Sequence, residues 1–120
     1  MFKHFNPNPL KKSAGDCTIR AISKALSQSW EKTYIDLCLQ GLICCDMPST
    51  NQVWGKYLQS KGFKKTNVDE DCTIAELVDK NKRGMFLIGT GTHVVCAIDG
   101  DYYDTWDSGN ETAIYYFCKG

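Results

Sequence analysis

Histidine and proline are scarce in this chain of 120 residues, and neither sign of charge is in excess. There are two histidines and three prolines, and 14 Lys and Arg balance 14 Asp and Glu. A balanced chain without a basic cluster argues against a general nucleic-acid binder. The lysine pairs in "LKKSAG" and "GFKKTN" read as solvated surface. No apolar run approaches the roughly 20 residues a membrane span needs. The start "MFKHFNPNP" has no apolar signal-peptide core, so the expected location is the cytoplasm. No Cys-x-x-Cys pair and no histidine pair is present, so no metal and no cofactor is expected.

Cysteine, by contrast, is plentiful. Seven is an odd number, which speaks against a full disulfide framework, and a reducing cytosol would keep the thiols free. The length suits one domain over 1–120. Residues 1–16 hold two of the prolines and Gly15 and read as an extended arm. Residues 17–61 read as helical, and 62–120 as mainly strands with one short helix.

In the helical part, Ile19, Ile22 and Leu26 share a stripe, with Asp16 placed to cap the helix that Cys17 opens. A second helix is expected from about Ser29, with Trp30, Tyr34, Leu37, Cys38 and Gly41 as its core face. Ser49 with Gln52, and Thr73 with Glu76, have capping-box spacing ahead of two more helices. The runs "GMFLIGT", "THVVCAI", "DYYDTWD" and "TAIYYFC" then read as short strands separated by turns. "GTGT" lacks the helix and lysine of a phosphate loop and reads as a turn. The expected class is α+β, with N-terminal helices packed on a C-terminal antiparallel sheet.

Cys17 is the chemically interesting thiol. At a helix start, unpaired N–H groups and the helix dipole favour the thiolate, whereas a free thiol has a pKa of about 8.5. Asp16 opposes this, so an imidazolium partner is needed. The alternative for any of the seven cysteines is a small buried hydrophobe. His4 lies in the arm and reads as a surface residue, which leaves His93.

Asp99-Gly100 between alternating strands signals a two-residue type I′ hairpin turn, pairing residue 98 with 101. His93 then lies opposite Trp106, and Asp104 falls on the same face as the diagonal neighbour of His93. A three-residue loop would flip the parity and favour Asp107. Cys17, His93 and Asp104 therefore form a candidate nucleophile, base and orienting acid.

"GDCTIRAISKAL", "THVVCAI" and "YYDTWDSG" together resemble the papain-like cysteine peptidases, and most closely the small papain-fold domains of bacteriophages and their hosts. The resemblance implies Cys17 as nucleophile, His93 as general base and acid, Asp104 as orienting residue and Trp106 as its shield. The family's oxyanion-donating Gln, six residues before the Cys, is Lys11 here. An amide from Asn6 or Asn8 is the expected substitute if the arm folds back, with the Cys17 N–H as the other donor. Arg20, one turn after Cys17, either lines the site or makes a structural ion pair.

Three function classes follow. The first is a thiol hydrolase acting on a peptide or related amide, with acyl transfer and deamidation requiring the same triad. The second is a binding module of this fold, acting on a host or phage protein. The third, a metal protein, lacks a ligand set in the sequence. No nucleic-acid or membrane partner is expected, and a phage-encoded chain would act in the host cytosol.

Overall fold

The Asp99-Gly100 hairpin is present. Both turn residues have positive φ, 49° and 91°, as a type I′ turn requires, and Ile98 pairs with Asp101, Ala97 with Tyr102 and Cys96 with Tyr103. Around this hairpin the computed structural model describes residues 1–119. The elements are β1 (Phe2–His4), α1 (Cys17–Leu26), α2 (Trp30–Cys44), α3 (Asn51–Ser60), β2 (Phe63–Asn67), α4 (Ile74–Lys80), β3 (Met85–Gly89), β4 (Val94–Ile98), β5 (Asp101–Asp104) and β6 (Tyr115–Lys119). The class is α+β.

Six strands form one sheet in the order β1-β5-β4-β3-β6-β2. The expected all-antiparallel sheet is corrected here, because β1 pairs with β5 in parallel while the other neighbours are antiparallel. The start of the arm is therefore a strand. Its amino group donates to the Gly100 carbonyl at 2.7 Å, and the Phe2 ring lies 5.9 Å from that of Tyr102. β1 thus covers what would be an open edge of β5.

Alternate residues of the central strands feed two cores. Leu87, Val94 and Cys96 face α1 and α3 with Ile22, Trp54 and Leu58, whereas Ile88, Val95 and Ala97 face Ile74 and Val78 of α4. With both faces covered, β3 and β4 are apolar throughout rather than alternating. Gly89 is required at the end of β3, since a Cβ there would sit 2.2 Å from the Tyr115 ring.

Three helix expectations need correction. Asp16 stands at the N-cap position of α1, but its side chain does not cap the helix. Ser49 and Gln52 form no capping box, because α3 begins at Asn51 and the Thr50 carbonyl accepts from Val53 and Trp54. Ser29 is the N-cap of α2, its hydroxyl accepting from the Lys32 N–H at 3.1 Å. Its buried face is Thr33, Leu37 and Gly41, while Tyr34 and Cys38 are exposed. Ile35, Leu39, Leu42 and Ile43 are more than half exposed, so α2 is apolar almost all round and its periodicity does not select a face. Thr73 and Glu76 form both bonds of their capping box on α4. Among the described residues, no helix is long and apolar enough to cross a membrane.

Candidate active site

Cys17 is the first residue of α1, and His93 immediately precedes β4, against which that helix packs. Asp104 ends β5, where the hairpin register carries it back alongside His93. The parity argument for Asp104 over Asp107 holds in the structure. His93 Nε2 lies 2.6 Å from Asp104 Oδ2, whereas Asp107 Oδ1 accepts from the Tyr102 hydroxyl and the Gly109 N–H.

Asp104 is wholly buried, 0% exposed, yet each of its oxygens has two partners. Oδ1 accepts from Arg20 Nη2 and from the Thr105 N–H, each at 2.8 Å. Oδ2 accepts from Ser108 Oγ at 2.7 Å as well as meeting His93. A carboxylate has about four acceptor sites, and here all are used. The carboxylate plane, and through it the imidazole, is held from four directions.

Arg20 continues the chain of charges. Its Nη1 donates to Asp16 Oδ1 at 2.6 Å, and Trp30 Nε1 donates to Asp16 Oδ2 at 2.9 Å. This explains why Asp16 does not cap the helix: both its oxygens are committed. Asp16 and Arg20 are each 5% exposed, so Asp16, Arg20 and Asp104 form a buried acid–base–acid series. Arg20 is thus an ion-pair residue that holds Asp104, and its charge also reaches Cys17.

The electrostatics follow from these partners. Burial alone would raise the Cys17 thiol. The hydrogen bonds with His93 and the Val94 N–H, with the positive charges of His93 and Arg20, outweigh it and hold the pKa below the ordinary thiol value. Burial alone would lower His93, but the hydrogen bonds with Asp104 and Cys17 and their negative charges push it up to about 9. For Asp104, burial would raise the carboxyl. The bonds from His93 and Ser108, the His93 charge and the Thr105 N–H hold it below the usual carboxylate value. Because His93 meets Asp104 through Nε2, Nδ1 is the nitrogen left for Cys17. With the thiol lowered and the imidazole raised, the thiolate–imidazolium pair is favoured over the neutral thiol–imidazole pair.

The thiol opens into a cleft of about 220 Å³ lined by Cys17, Thr18, Asn51, Trp54, His93 and Tyr115 among others. Thr18 and Ser49 are shared with a more apolar depression of about 200 Å³ between α1 and α2, lined also by Ile19, Tyr34 and Leu37. No protein-family model, curated protein or solved structure matches this chain. The site therefore stands on its own geometry.

Cys17, His93, Asp104 and Arg20 are brought together, with Trp106 beside them. The Trp106 ring lies 5.2 Å from the imidazole, tilted by 41°, and covers it while remaining 47% exposed itself. Asn6 and Asn8 do not line the cleft. Asn6 Nδ2 donates to the Lys12 carbonyl and its Oδ1 accepts from Asn8, whose own Oδ1 accepts from Leu10. Lys11, with φ of 55°, turns back to donate through Nζ to the Asn6 carbonyl at 2.8 Å. These amides are spent in folding the arm on itself.

Sequence reasoning missed Ser108, Thr105 and Asn51. Ser108 had a signal: it follows Asp104 by four residues in a glycine-ended loop, where a hydroxyl reaches back to a carboxylate. Asn51 had none, because its nearness to Cys17 depends on how α3 packs.

Proposed function

We propose that this chain is a thiol-dependent hydrolase of minimal papain-like design, cleaving a peptide or related amide bond through an acyl-enzyme on Cys17. The observation that carries the proposal is the 2.6 Å contact of His93 with a fully satisfied, buried Asp104, with the other imidazole nitrogen left for a thiol of lowered pKa in an open cleft. Such pairing, with the base oriented by a third group, is what nucleophilic catalysis requires.

In this reading the Cys17 thiolate attacks the carbonyl carbon and an S–C bond forms as the carbonyl oxygen becomes an oxyanion. His93 Nδ1–H gives its proton to the leaving nitrogen, the C–N bond breaks and a thioester remains. Water then attacks the thioester while Nδ1 takes its proton, and the thiolate leaves. Asp104 holds Nε2–H throughout and stabilises the imidazolium at both proton-transfer steps. Transfer to an amine, or deamidation, uses the same steps with a different nucleophile or leaving group. The sequence resemblance to small papain-fold domains of phages and their hosts supports the same assignment and makes a host or phage protein the proposed substrate.

A second reading has its own support. The exposed Ile35, Leu39, Leu42 and Ile43 of α2 are the kind of apolar surface by which a binding module engages a partner. The rate of Cys17 alkylation by iodoacetamide against pH, resolved by peptide mass spectrometry, separates the two. Hydrolase chemistry requires Cys17 to react fastest of the seven thiols near pH 6 and to lose that lead in His93→Ala. A Cys17 that titrates as an ordinary thiol in both proteins rejects the enzyme and favours the binding module.

A further inference from the structure

Acyl chemistry at Cys17 needs donors for the oxyanion, and neither Asn6, Asn8 nor Lys11 supplies one. The cleft itself holds another amide. Asn51, first residue of α3, lines the same cleft as Cys17 and His93. Its Oδ1 accepts from Trp54 Nε1 at 3.1 Å. An indole N–H can only donate, so the amide orientation is fixed: oxygen towards Trp54, Nδ2 away from it. Nδ2 makes no hydrogen bond among the described residues, and its two N–H groups are free for a ligand.

The residue that holds this amide is itself buried and packed between aromatic rings. Trp54 is 2% exposed, and its ring stacks on Tyr115 with 6.2 Å between centroids and lies 5.3 Å from Phe117. Tyr115 also lines the cleft. The Thr and Ser hydroxyls nearby can rotate, whereas this amide is set before any substrate arrives. A donor oriented in advance is what stabilises developing charge without reorganisation cost.

We propose that Asn51 Nδ2 is the side-chain donor to the oxyanion formed when Cys17 is acylated, a role that rests on the hydrolase reading above. The oxyanion support missing from the arm comes from α3 instead. Asn51 is then a catalytic residue, and Trp54 positions it.

Two probes of Cys17 in the full chain test this. Iodoacetamide reacts by displacement: the S–C bond forms as iodide leaves, with no oxyanion. p-Nitrophenyl acetate reacts through one: the thiolate adds to the ester carbonyl, the oxyanion collapses, and p-nitrophenolate leaves acetyl-Cys17. Acetylation is expressed relative to iodoacetamide alkylation of the same variant, so a change in thiolate fraction cancels. Asn51→Ala is expected to lower this ratio on the order of 10²-fold, the usual effect of losing one oxyanion donor. Asn51→Asp keeps the acceptor for Trp54 but has no donor, and should be as slow as Asn51→Ala. A wild-type ratio in Asn51→Ala, or recovery in Asn51→Asp, overturns the proposal, the latter by showing that Asn51 only steadies Trp54. If wild-type Cys17 shows no selective alkylation, the hydrolase reading itself falls and this role falls with it.

Discussion

The two sides of the imidazole are built on opposite principles. Behind His93, every oxygen of Asp104 and Asp16 is occupied, and the charges alternate from Asp16 through Arg20 to Asp104 in a region closed to water. In front of it, around Cys17, the cleft is open and the Asn51 amide has donors to spare. The difference follows the lifetime of the charge on each side. A permanent buried carboxylate must be satisfied in the resting protein or cost several kcal/mol. On the proposed hydrolase reading an oxyanion exists only during turnover, so its donors are left unpaired in the resting protein. A mutation behind His93 should therefore damage folding as well as chemistry, and one in front that keeps the Trp54 hydrogen bond should damage chemistry alone.

The largest effect expected is His93→Ala, which removes the only imidazole in the site. On the proposed reading, losing this general acid and base costs on the order of 10²–10⁴ in rate. The pH dependence of alkylation carries the sign. In the wild type, the thiolate limb lies below the ordinary thiol value, and the ion pair persists until His93 loses its proton near pH 9. Without His93, burial is opposed only by the Val94 N–H and Arg20, so the limb moves to higher pH. A limb that stays in place would show that the α1 terminus and Arg20 alone ionise Cys17.

Next is Arg20→Ala, measured by urea unfolding. It leaves Asp16 and Asp104 facing each other's side of an empty buried site, and breaking such a pair typically costs about 3–5 kcal/mol. Lysine does not rescue it fully, since a single ammonium cannot reproduce the fork that reaches both carboxylates. The Asp104 contribution has a definite pH sign. Its folded pKa is lowered, so the stabilisation is present above the unfolded value of about 3.9 and is lost as pH falls through the folded value. The difference between wild type and Arg20→Ala should therefore narrow in acid. A penalty below that of an exposed pair, or one insensitive to acid, would break the contrast between the two sides.

Ser108→Ala is smaller. It removes one of the four bonds to a buried carboxylate, with an expected cost of about 1–3 kcal/mol, and frees the Asp104 plane to rotate. Reactivity of Cys17 should fall with it, which joins stability and chemistry on this side of the imidazole as Asn51→Asp, which keeps the Trp54 bond, should not on the other.

How legible these parts were in the sequence depends on the range of the interactions that set them. The Asp99-Gly100 turn fixes strand parity locally, and parity alone selects Asp104 over Asp107 and puts Trp106 beside His93. The capping box at Thr73 is equally local. β1 was not legible, because three residues carry no period and their partner lies about a hundred positions away. The face of α2 was not legible because Ile35, Leu39, Leu42 and Ile43 compete with Leu37 on equal hydrophobic terms. Asp16 looked like a cap because the sequence does not show that Trp30 and Arg20 claim both its oxygens. Asn6 and Asn8 looked available for the same reason. Asn51 enters the site only through the packing of Trp54 on Tyr115, a contact no spacing rule encodes.

The smallest effect expected, and the finest test of the closed side, is Trp106→Ala. The indole is half-exposed, so stability should change by no more than about 0.5 kcal/mol, as for most surface substitutions. Its effect belongs to His93, whose ring it covers. Burial lowers the His93 pKa and its acidic partners raise it, and the net value of about 9 means the partners win. Water admitted beside the ring weakens both influences, and the larger one loses more. The loss of an aromatic face beside the imidazolium acts in the same direction. The His93 pKa should therefore drift down towards its ordinary value of about 6.5, by a fraction of a unit. A proton NMR titration reads this directly. A His93 pKa that stays put or rises on losing Trp106 would mean that Arg20, Ser108 and Thr105 hold the acid side closed by themselves, and that the tryptophan serves the cleft rather than the base.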